Sequence, residues 1–533
     1  MSLRKVKKTN IIVAMLVIGI LVSPIIGFSD DSKKGGVLTI RGTDLQNIDP
    51  MQLLGRNDDV YIANQVFDSL VFPSAIEGKE LEPAPLLAKS WDRPDDRTWI
   101  FHIREGVTFQ DGNEVFPEGE GRELVADDVV YSINRAIDMA ENLMLGSIVN
   151  VEAVDKYTVK VETDEPQPFL LHSHYLDGVQ IVPREAVEQL GDRITTHPVG
   201  SGPFEIESFT PGEEAVLKRN EDYWLPVNLD GIRYIVIPDS TSGVLALESG
   251  RVDLNVMVPT DEAPRLIEEG FTVKTRAYSY RGIGFNVTTP PFDDWRVREA
   301  ISMALDVDTA WKAVIPSELG VRAYGQVPPV FSMGYDPEGL KPLDEFNPEE
   351  AKKLLADAGW KDSDGDGVLD KDGKPLSFDV KTFGGAQVRV LTILVTQLKE
   401  MGIDANILQQ DISVWADDLI NGNSGAFFDF SYAGLTGLKS MFHGDNIKAS
   451  NTHYYDNPAV NYLLDRASRT MNFEDRSSFW KRAQRIVVED RAIIPMFFEG
   501  TPSVASPNVK DWIAPGWGMQ IVTPENNVWL EEK

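Results

Sequence analysis

With 533 residues, 42% of them hydrophobic and 9% aromatic, the chain exceeds one ordinary core and is too apolar to be disordered, so two or three folded units are expected. A formal charge of −32 excludes nucleic acid or an anionic lipid surface as its main partner. The absence of cysteine excludes a disulfide framework, a thiol nucleophile and a lipid-modified cysteine.

The first residues read as a targeting segment. Arg4, Lys5, Lys7 and Lys8 form a basic head, Ile11 to Val22 is an unbroken run of apolar residues and Gly, and Ser23-Pro24 breaks it. Gly27-Phe28-Ser29 places small residues two apart, as a signal peptidase requires. Twelve residues rise only about 18 Å as a helix, short of a bilayer core of about 30 Å. Residues 1–29 are therefore predicted to be a secretory signal, with an uncleaved anchor reaching Phe28 as the competing reading. Their removal takes away four positive charges and no acid, leaving −36. That suits a solvated protein of the periplasm or the cell exterior, and it is not expected to be a lipoprotein.

Gly35-Gly36 leads into a strand, Val37 to Arg41, and Asp44 to Pro50 is a polar loop before a helix from Val60 to Leu70. Trp99, Phe101 and Ile103 alternate with Ile100 and His102 at strand spacing, and Asp111-Gly112 closes a turn. A helix starts at Ala126, with Val129, Val130, Ile133 and Ala136 on its buried side. Tyr157, Val159 and Val161 make another alternating strand. The stretch from Pro198 to Leu225, PVGSGPFEIESFTPGEEAVLKRNEDYWL, has the most specific layout. A Gly-Ser-Gly-Pro turn feeds a strand at Phe204 and Ile206, Thr210-Pro211-Gly212 turns the chain, and a strand at Ala215 and Leu217 leads to Tyr223-Trp224. Its Pro and Gly stand where tight turns need a fixed or positive φ.

In the second half, Val297, Ile301 and Ala304 recur at helix spacing behind an Asp N-cap. Asn347-Pro348-Glu349-Glu350 supplies a cap, an N1 proline and a glutamate at N3. Leu354, Leu355 and Ala358 carry that helix to Gly359. A strand from Phe378 to Phe383, a helix with Leu391, Leu394, Val395, Leu398 and Met401, and a strand from Ile403 to Leu408 form a βαβ unit. Ligand-accessible strand ends would lie near Phe383 to Gly385 and Phe430 to Thr436. A helix ends at Ile486 to Val488, Ile493 to Phe498 returns as a strand, and the tail holds Trp512, Trp517 and Trp529.

Seven blocks, in one order, carry a family resemblance. They are PLLAKSW (Pro85 to Trp91), VADDVVYSINRAID (Val125 to Asp138), the Pro198 block, LESGRVDL (Leu247 to Leu254), GIGFNVTTPPFDDWRVREAISMALD (Gly282 to Asp306), NPEEAKKLLADAGW (Asn347 to Trp360) and YYDNPAVNYLLDRA (Tyr454 to Ala467). The chain resembles the extracytoplasmic solute-binding proteins of ABC importers, the oligopeptide/dipeptide/nickel-binding family (family 5). The resemblance implies an α/β, two-lobed, periplasmic-binding-protein-like (type II) fold with an extra subdomain inserted in lobe one. Lobe I would comprise 30–80, 200–283 and 500–533, the inserted subdomain 81–199, and lobe II 284–499. Crossings are expected at Phe285-Asn286 and Phe498-Glu499. It further implies a monomer that is not an enzyme, needs no cofactor, closes on a small solute and delivers it to the transmembrane subunits of an ABC permease.

The ligand is where the pattern departs. Peptide binders of this family hold the ligand's α-amino group with an Asp in a Gly-Trp-x-x-Asp context, because a buried ammonium needs a paired carboxylate. Here the stretch from Phe428 to His443 has Gly434, but Leu435 stands for the Trp and Leu438 for the Asp. A short shift would bring Asp429 or Asp445 near. An oligosaccharide or a modified peptide therefore stands beside an ordinary peptide as cargo. The expected cleft residues are Asp44 and Gln46 in lobe I, with Phe383, Trp415, Tyr432, Gly434 and Thr436 in lobe II. The aromatics would cover the solute and the hydroxyl and backbone groups would orient it.

Asp362, Asp364, Asp366, Val368 and Asp370 resemble the acidic part of a calcium loop and are candidate ligands of a structural calcium. The twelfth position is Gly373 rather than Glu, so an acidic hairpin loop without metal is the alternative. His172-x-His174 offers two imidazoles without a third ligand. A secreted carbohydrate-active hydrolase using paired carboxylates is the rival function. The chain has no G-x-S-x-G, H-E-x-x-H or P-loop to support an enzyme.

Overall fold

The computed structural model describes residues 35–52, 57–76, 82–139, 145–172, 178–275, 279–317, 319–385, 387–432, 435–514, 519 and 521–532. The predicted signal and Trp517 lie outside them. Two sheets organise the molecule. In the first, seven strands stand in the order Thr272–Lys274, Ser503–Ala505, Leu254–Asn255, Val37–Gly42, Gly231–Val236, Glu214–Arg219 and Phe204–Thr210. In the second, six follow the order Gly320–Arg322, Ile493–Glu499, Ser279–Phe285, Ala426–Tyr432, Ser377–Thr382 and Asp404–Gln409. A separate antiparallel sheet, Ala88–Asp92, Thr98–Ile103, Thr158–Thr163 and Ile148–Asp155, packs with the helix Ala126–Met139. This is the two-lobed α/β architecture with an inserted unit in the first lobe.

The local signals act as expected. Asp294 caps the helix Trp295–Ala304 by accepting from the Arg296 N–H at 3.0 Å, and Val297, Ile301 and Ala304 are buried. Asn347 caps Pro348–Asp357 through the Glu350 N–H at 3.1 Å. Only half of that capping box closes: the Asn347 N–H reaches Met303 O at 2.8 Å, and the Glu350 carboxylate pairs with Lys353 at 2.9 Å. Gly359, with φ of +94°, stops the chain there. The βαβ unit forms with Ser377–Thr382 parallel to Asp404–Gln409 around the helix Gln387–Glu400.

Two expectations change. The first helix runs from Asn57 to Val66 and ends short of Leu70. Tertiary donors take over its last carbonyl: the Gly202 N–H reaches Val66 O at 2.8 Å and the Gln110 amide at 3.2 Å. The chain also changes lobes before the expected boundary. Ser279–Phe285 pairs along its length with Ala426–Tyr432 and Ile493–Glu499, so 283/284 falls inside a lobe II strand and Phe285-Asn286 is not a crossing. The passage lies between Lys274 and Ser279, and the return between Glu499 and Ser503. Strand pattern alone cannot say which sheet a strand joins.

Candidate interlobe binding site

Strand direction defines a candidate edge in each lobe. In lobe I, Val37–Gly42, Gly231–Val236 and Leu254–Asn255 run the same way. Ser503–Ala505 is antiparallel to Leu254–Asn255 and to Thr272–Lys274, so Lys274 and Ser503 sit at the C-terminal edge of that direction. In lobe II, Ser377–Thr382 is parallel to Asp404–Gln409 and to Ala426–Tyr432. Ser279–Phe285, antiparallel to Ala426–Tyr432, starts at Ser279 on that C-terminal edge, and Ile493–Glu499, antiparallel to Ser279–Phe285 in turn, ends there at Glu499. Both crossings therefore join one C-terminal edge to the other. Open α/β sheets bind ligands at this edge.

The lobe I edge is a polar loop held from below. Asp58, at the start of the first helix, accepts from the backbone N–H of Thr43 and of Asp44 at 2.5 and 2.6 Å, and from the Thr43 hydroxyl at 2.9 Å. Asp59 accepts from the Gln46 N–H at 2.8 Å. Both carboxylates are buried, while Asp44 and Gln46 are exposed and joined by a 2.6 Å bond from the Gln46 amide to Asp44. Two acids in the first turn also suit the positive end of the helix. Beside them Arg41, 1% exposed, donates to the carbonyls of Ile237, Met257 and Pro238 at 2.8, 3.0 and 3.1 Å. Burial pushes its pKa below the ordinary value, with nearby Asp58 and Asp239 opposing that shift. Gly243 makes room for the guanidinium, since a Cβ there would stand 2.7 Å from Nε. Sequence reading missed Arg41. A charged residue at a position of a strand otherwise apolar inward was its only signal.

The lobe II edge is aromatic. Phe383 meets Trp415 edge-on with centroids 5.0 Å apart and Phe430 at 5.2 Å, and Trp415 lies 5.5 Å from Phe430. Trp415 is 7% exposed and donates its indole N–H to Lys381 O at 3.3 Å, so it backs the cluster. Phe383 and Phe430 are its partly exposed members. Arg281 approaches the Phe430 ring to 5.8 Å and pairs with Glu499 at 2.8 Å. These two charged residues stand beside the two crossings. Tyr432 ends its strand, Thr436 lies in the first turn of the helix Leu435–Phe442, and Gly434 lies outside the described residues.

Leu438 is 2% exposed and belongs to the lobe II core. The position that would carry an amine-binding acid therefore faces inward. Asp429 does not replace it: it is buried mid-strand opposite Gly282, with Oδ2 3.5 Å from Nε2 of the fully buried His453. Asp445 is 92% exposed and faces His443.

The Pro198 block has a structural task. Its two strands form an antiparallel hairpin, and Tyr223 and Ser201 donate to the buried Asp68 at 3.0 and 3.1 Å. Burial raises the Asp68 carboxyl to about 7, against these hydrogen bonds and the nearby Arg104. Arg104 of the inserted sheet stacks on Trp224 at 4.4 Å, so the block fastens the subdomain to lobe I.

Asp362, Asp364 and Asp366 bring ligand atoms within 4.8 Å of one another on an exposed loop. Asp370 stands apart from this set, because Ser363 engages its carboxylate through both N–H and hydroxyl at 2.6–2.8 Å. Val368 uses its N–H to reach Asp366 at 2.8 Å. Of the histidine pair, His172 has a buried Nδ1 and its pKa is pushed down to about 4 by desolvation and by Arg476, while His174 lies outside the described residues.

Comparison with known proteins agrees with this fold. Residues 82–443 match the model of bacterial extracellular solute-binding proteins, family 5 Middle. The chain is 26% identical over 529 residues to the periplasmic oligopeptide-binding protein OppA of Salmonella typhimurium, covering 92% of this chain and 90% of the relative. It is 27% identical over 491 residues to the glutathione-binding protein GsiB of Shigella flexneri, covering 86% and 90%. Among solved structures, the periplasmic binding protein DppA of Helicobacter pylori with the peptide STSA superposes with a TM-score of 0.71 at 25% identity, covering 94% of this chain and 99% of that one. HbpA2 of Haemophilus parasuis shares the fold with a TM-score of 0.79 at 22% identity, covering 93% and 100%. These relatives are binding proteins, and the hydrolase alternative has no support among them.

Proposed function

Because this chain belongs to family 5 of the bacterial extracellular solute-binding proteins, we propose that its lobes close over a peptide or modified peptide and present it to an ABC permease. The carrying observation is that both crossings connect the C-terminal edges of the two sheets, so hinge motion opens and shuts the surface where a ligand is held. Peptide is favoured because the relatives named for oligopeptide and glutathione binding align over most of the chain. The inward-facing Leu438 favours a peptide whose amine is modified or held elsewhere. An oligosaccharide is the second cargo, favoured by the stacking faces of Phe383 and Phe430.

A thermal-shift panel of free peptides, N-acetylated peptides, glutathione and oligosaccharides tests this reading. The cargo class raises the melting temperature and is recovered intact. Stabilisation by none of them, or conversion of a panel member, would overturn it. Residues 1–29 direct export and are removed, as an intact mass beginning near residue 30 would show. The mature protein acts as a monomer, which light scattering checks. Asp362, Asp364 and Asp366 hold a structural calcium, so chelation lowers the melting temperature without changing cargo affinity.

A further inference from the structure

The inserted subdomain is fastened to lobe I yet also touches lobe II. Its fastening is polar and buried: Arg135 pairs with Asp49 through two bonds of 2.9 and 2.6 Å, and the Gln110 amide reaches the carbonyls of Val66, Gly202 and Phe204. With the Asp68 cluster, these contacts make the subdomain move with lobe I. The touch on lobe II is of another kind. Residues 165–172 lie against the helices Pro458–Arg469 and Phe473–Glu489. Glu165 pairs with Arg469 at 2.8 Å, the Arg476 guanidinium stands 5.3 Å from the Phe169 ring, and Trp480 meets that ring edge-on at 6.4 Å. Phe169, Arg476 and Trp480 are 4%, 6% and 0% exposed. Through them the apolar core of the subdomain runs without a break into that of lobe II.

This contact is incompletely satisfied. Among the described residues, Trp480 Nε1 and His172 Nδ1 are buried without a hydrogen-bond partner. Arg476 donates to the carbonyls of Thr470 and Met471 and to the Met333 sulfur, and among the described residues no carboxylate pairs with it. Groups of this kind regain water when surfaces part. Aromatic burial favours the contact, and because the subdomain is fastened to lobe I, opening the hinge would part it from lobe II and let these groups regain water.

We propose that residues 165–172 and the helix Phe473–Glu489 form a closure latch: a reversible contact, separate from the hinge and from the cleft walls, that holds part of the solute-free population closed. The idea rests on the hinged-clamp reading above. A latch sets how much of the solute's binding energy is spent on closing, so its strength tunes affinity without touching cargo.

The test needs no cargo. The full mature chain, free of cysteine, accepts a donor–acceptor pair at introduced surface cysteines on the inserted subdomain and lobe II. Solute-free wild type is expected to show both a short-distance and a long-distance population, with an intermediate radius of gyration by scattering. Phe169→Ala lowers the closed-to-open ratio about tenfold. Glu165→Lys, at a partly exposed position and with an unchanged melting temperature, lowers it about threefold. Adding Arg469→Glu to Glu165→Lys restores it, which a merely structural role would not. A solute-free wild type with no closed population, or variants with wild-type distance distributions, would overturn the latch. If the panel above finds no cargo but these populations shift as stated, the cargo reading fails and the latch stands.

Discussion

The lobe I sheet edge carries a polar loop held by buried charges beneath it, whereas the lobe II edge carries a cluster of aromatic rings packed against one another. Asp58 and Asp59 fix the backbone of residues 43–46, and Arg41 fixes the carbonyls of the neighbouring strand ends. Such a wall presents donors and acceptors in set directions. Phe383 and Phe430, backed by Trp415, present faces and edges that tolerate many shapes. Under the function proposed above, the lobe I edge would orient a solute and the lobe II edge would cover it. The division is physical: directional groups need rigid supports, and dispersion contacts need only area.

Four changes put this contrast to the test. The largest effect is expected from pH acting on Asp68, the buried carboxylate beneath lobe I. Its native pKa of about 7 lies above the reference value of 3.8, so the folded state keeps a proton that the unfolded state has lost. Its stabilising contribution is full below about 3.8 and falls as pH rises toward 7, by about 1.4 kcal/mol per pH unit on the steep part. Urea titrations of Asp68→Asn should show a flatter profile between pH 4 and 7 than wild type. An equal slope would remove Asp68 from that account.

Next, Trp415→Ala strips the backing from the aromatic wall and should cost about 3–4 kcal/mol of stability, read from the shift in urea midpoint. Arg41→Met leaves three carbonyls without their donor and should cost about 3 kcal/mol, with the loss concentrated in lobe I by hydrogen exchange. A uniform loss across both lobes would show that Arg41 does not serve its edge specifically. The smallest effect belongs to Asp58→Asn. It weakens the hold on Thr43 and Asp44 by about 1–2 kcal/mol, and amide exchange over residues 43–46 should rise while that of the lobe II edge stays constant.

Much of the fold was legible along the chain. The caps at Asp294 and Asn347, the stop at Gly359 and the alternation of Trp99, Phe101 and Ile103 depend on neighbours within a few residues, and they formed as read. The candidate site was legible only in outline. Asp44 and Gln46 lie exposed at the lobe I sheet edge and Phe383 at the lobe II edge, while Trp415 is buried against the Phe383 ring. Nothing in the spacing of Trp415 separates a ring that covers a solute from one that covers Phe383.

Local pattern, turn chemistry and the order of seven blocks determined the elements and the family, because each is settled by short stretches of chain. Which sheet received the strand Ser279–Phe285, what lay beneath each wall and where the subdomain met lobe II were decided only by the folded whole. Arg41 finds its acceptors 196 to 216 residues away. The gain or cost of burying a polar or aromatic group is set by whatever surrounds it in space, and those surroundings come from parts of the chain that no local pattern connects.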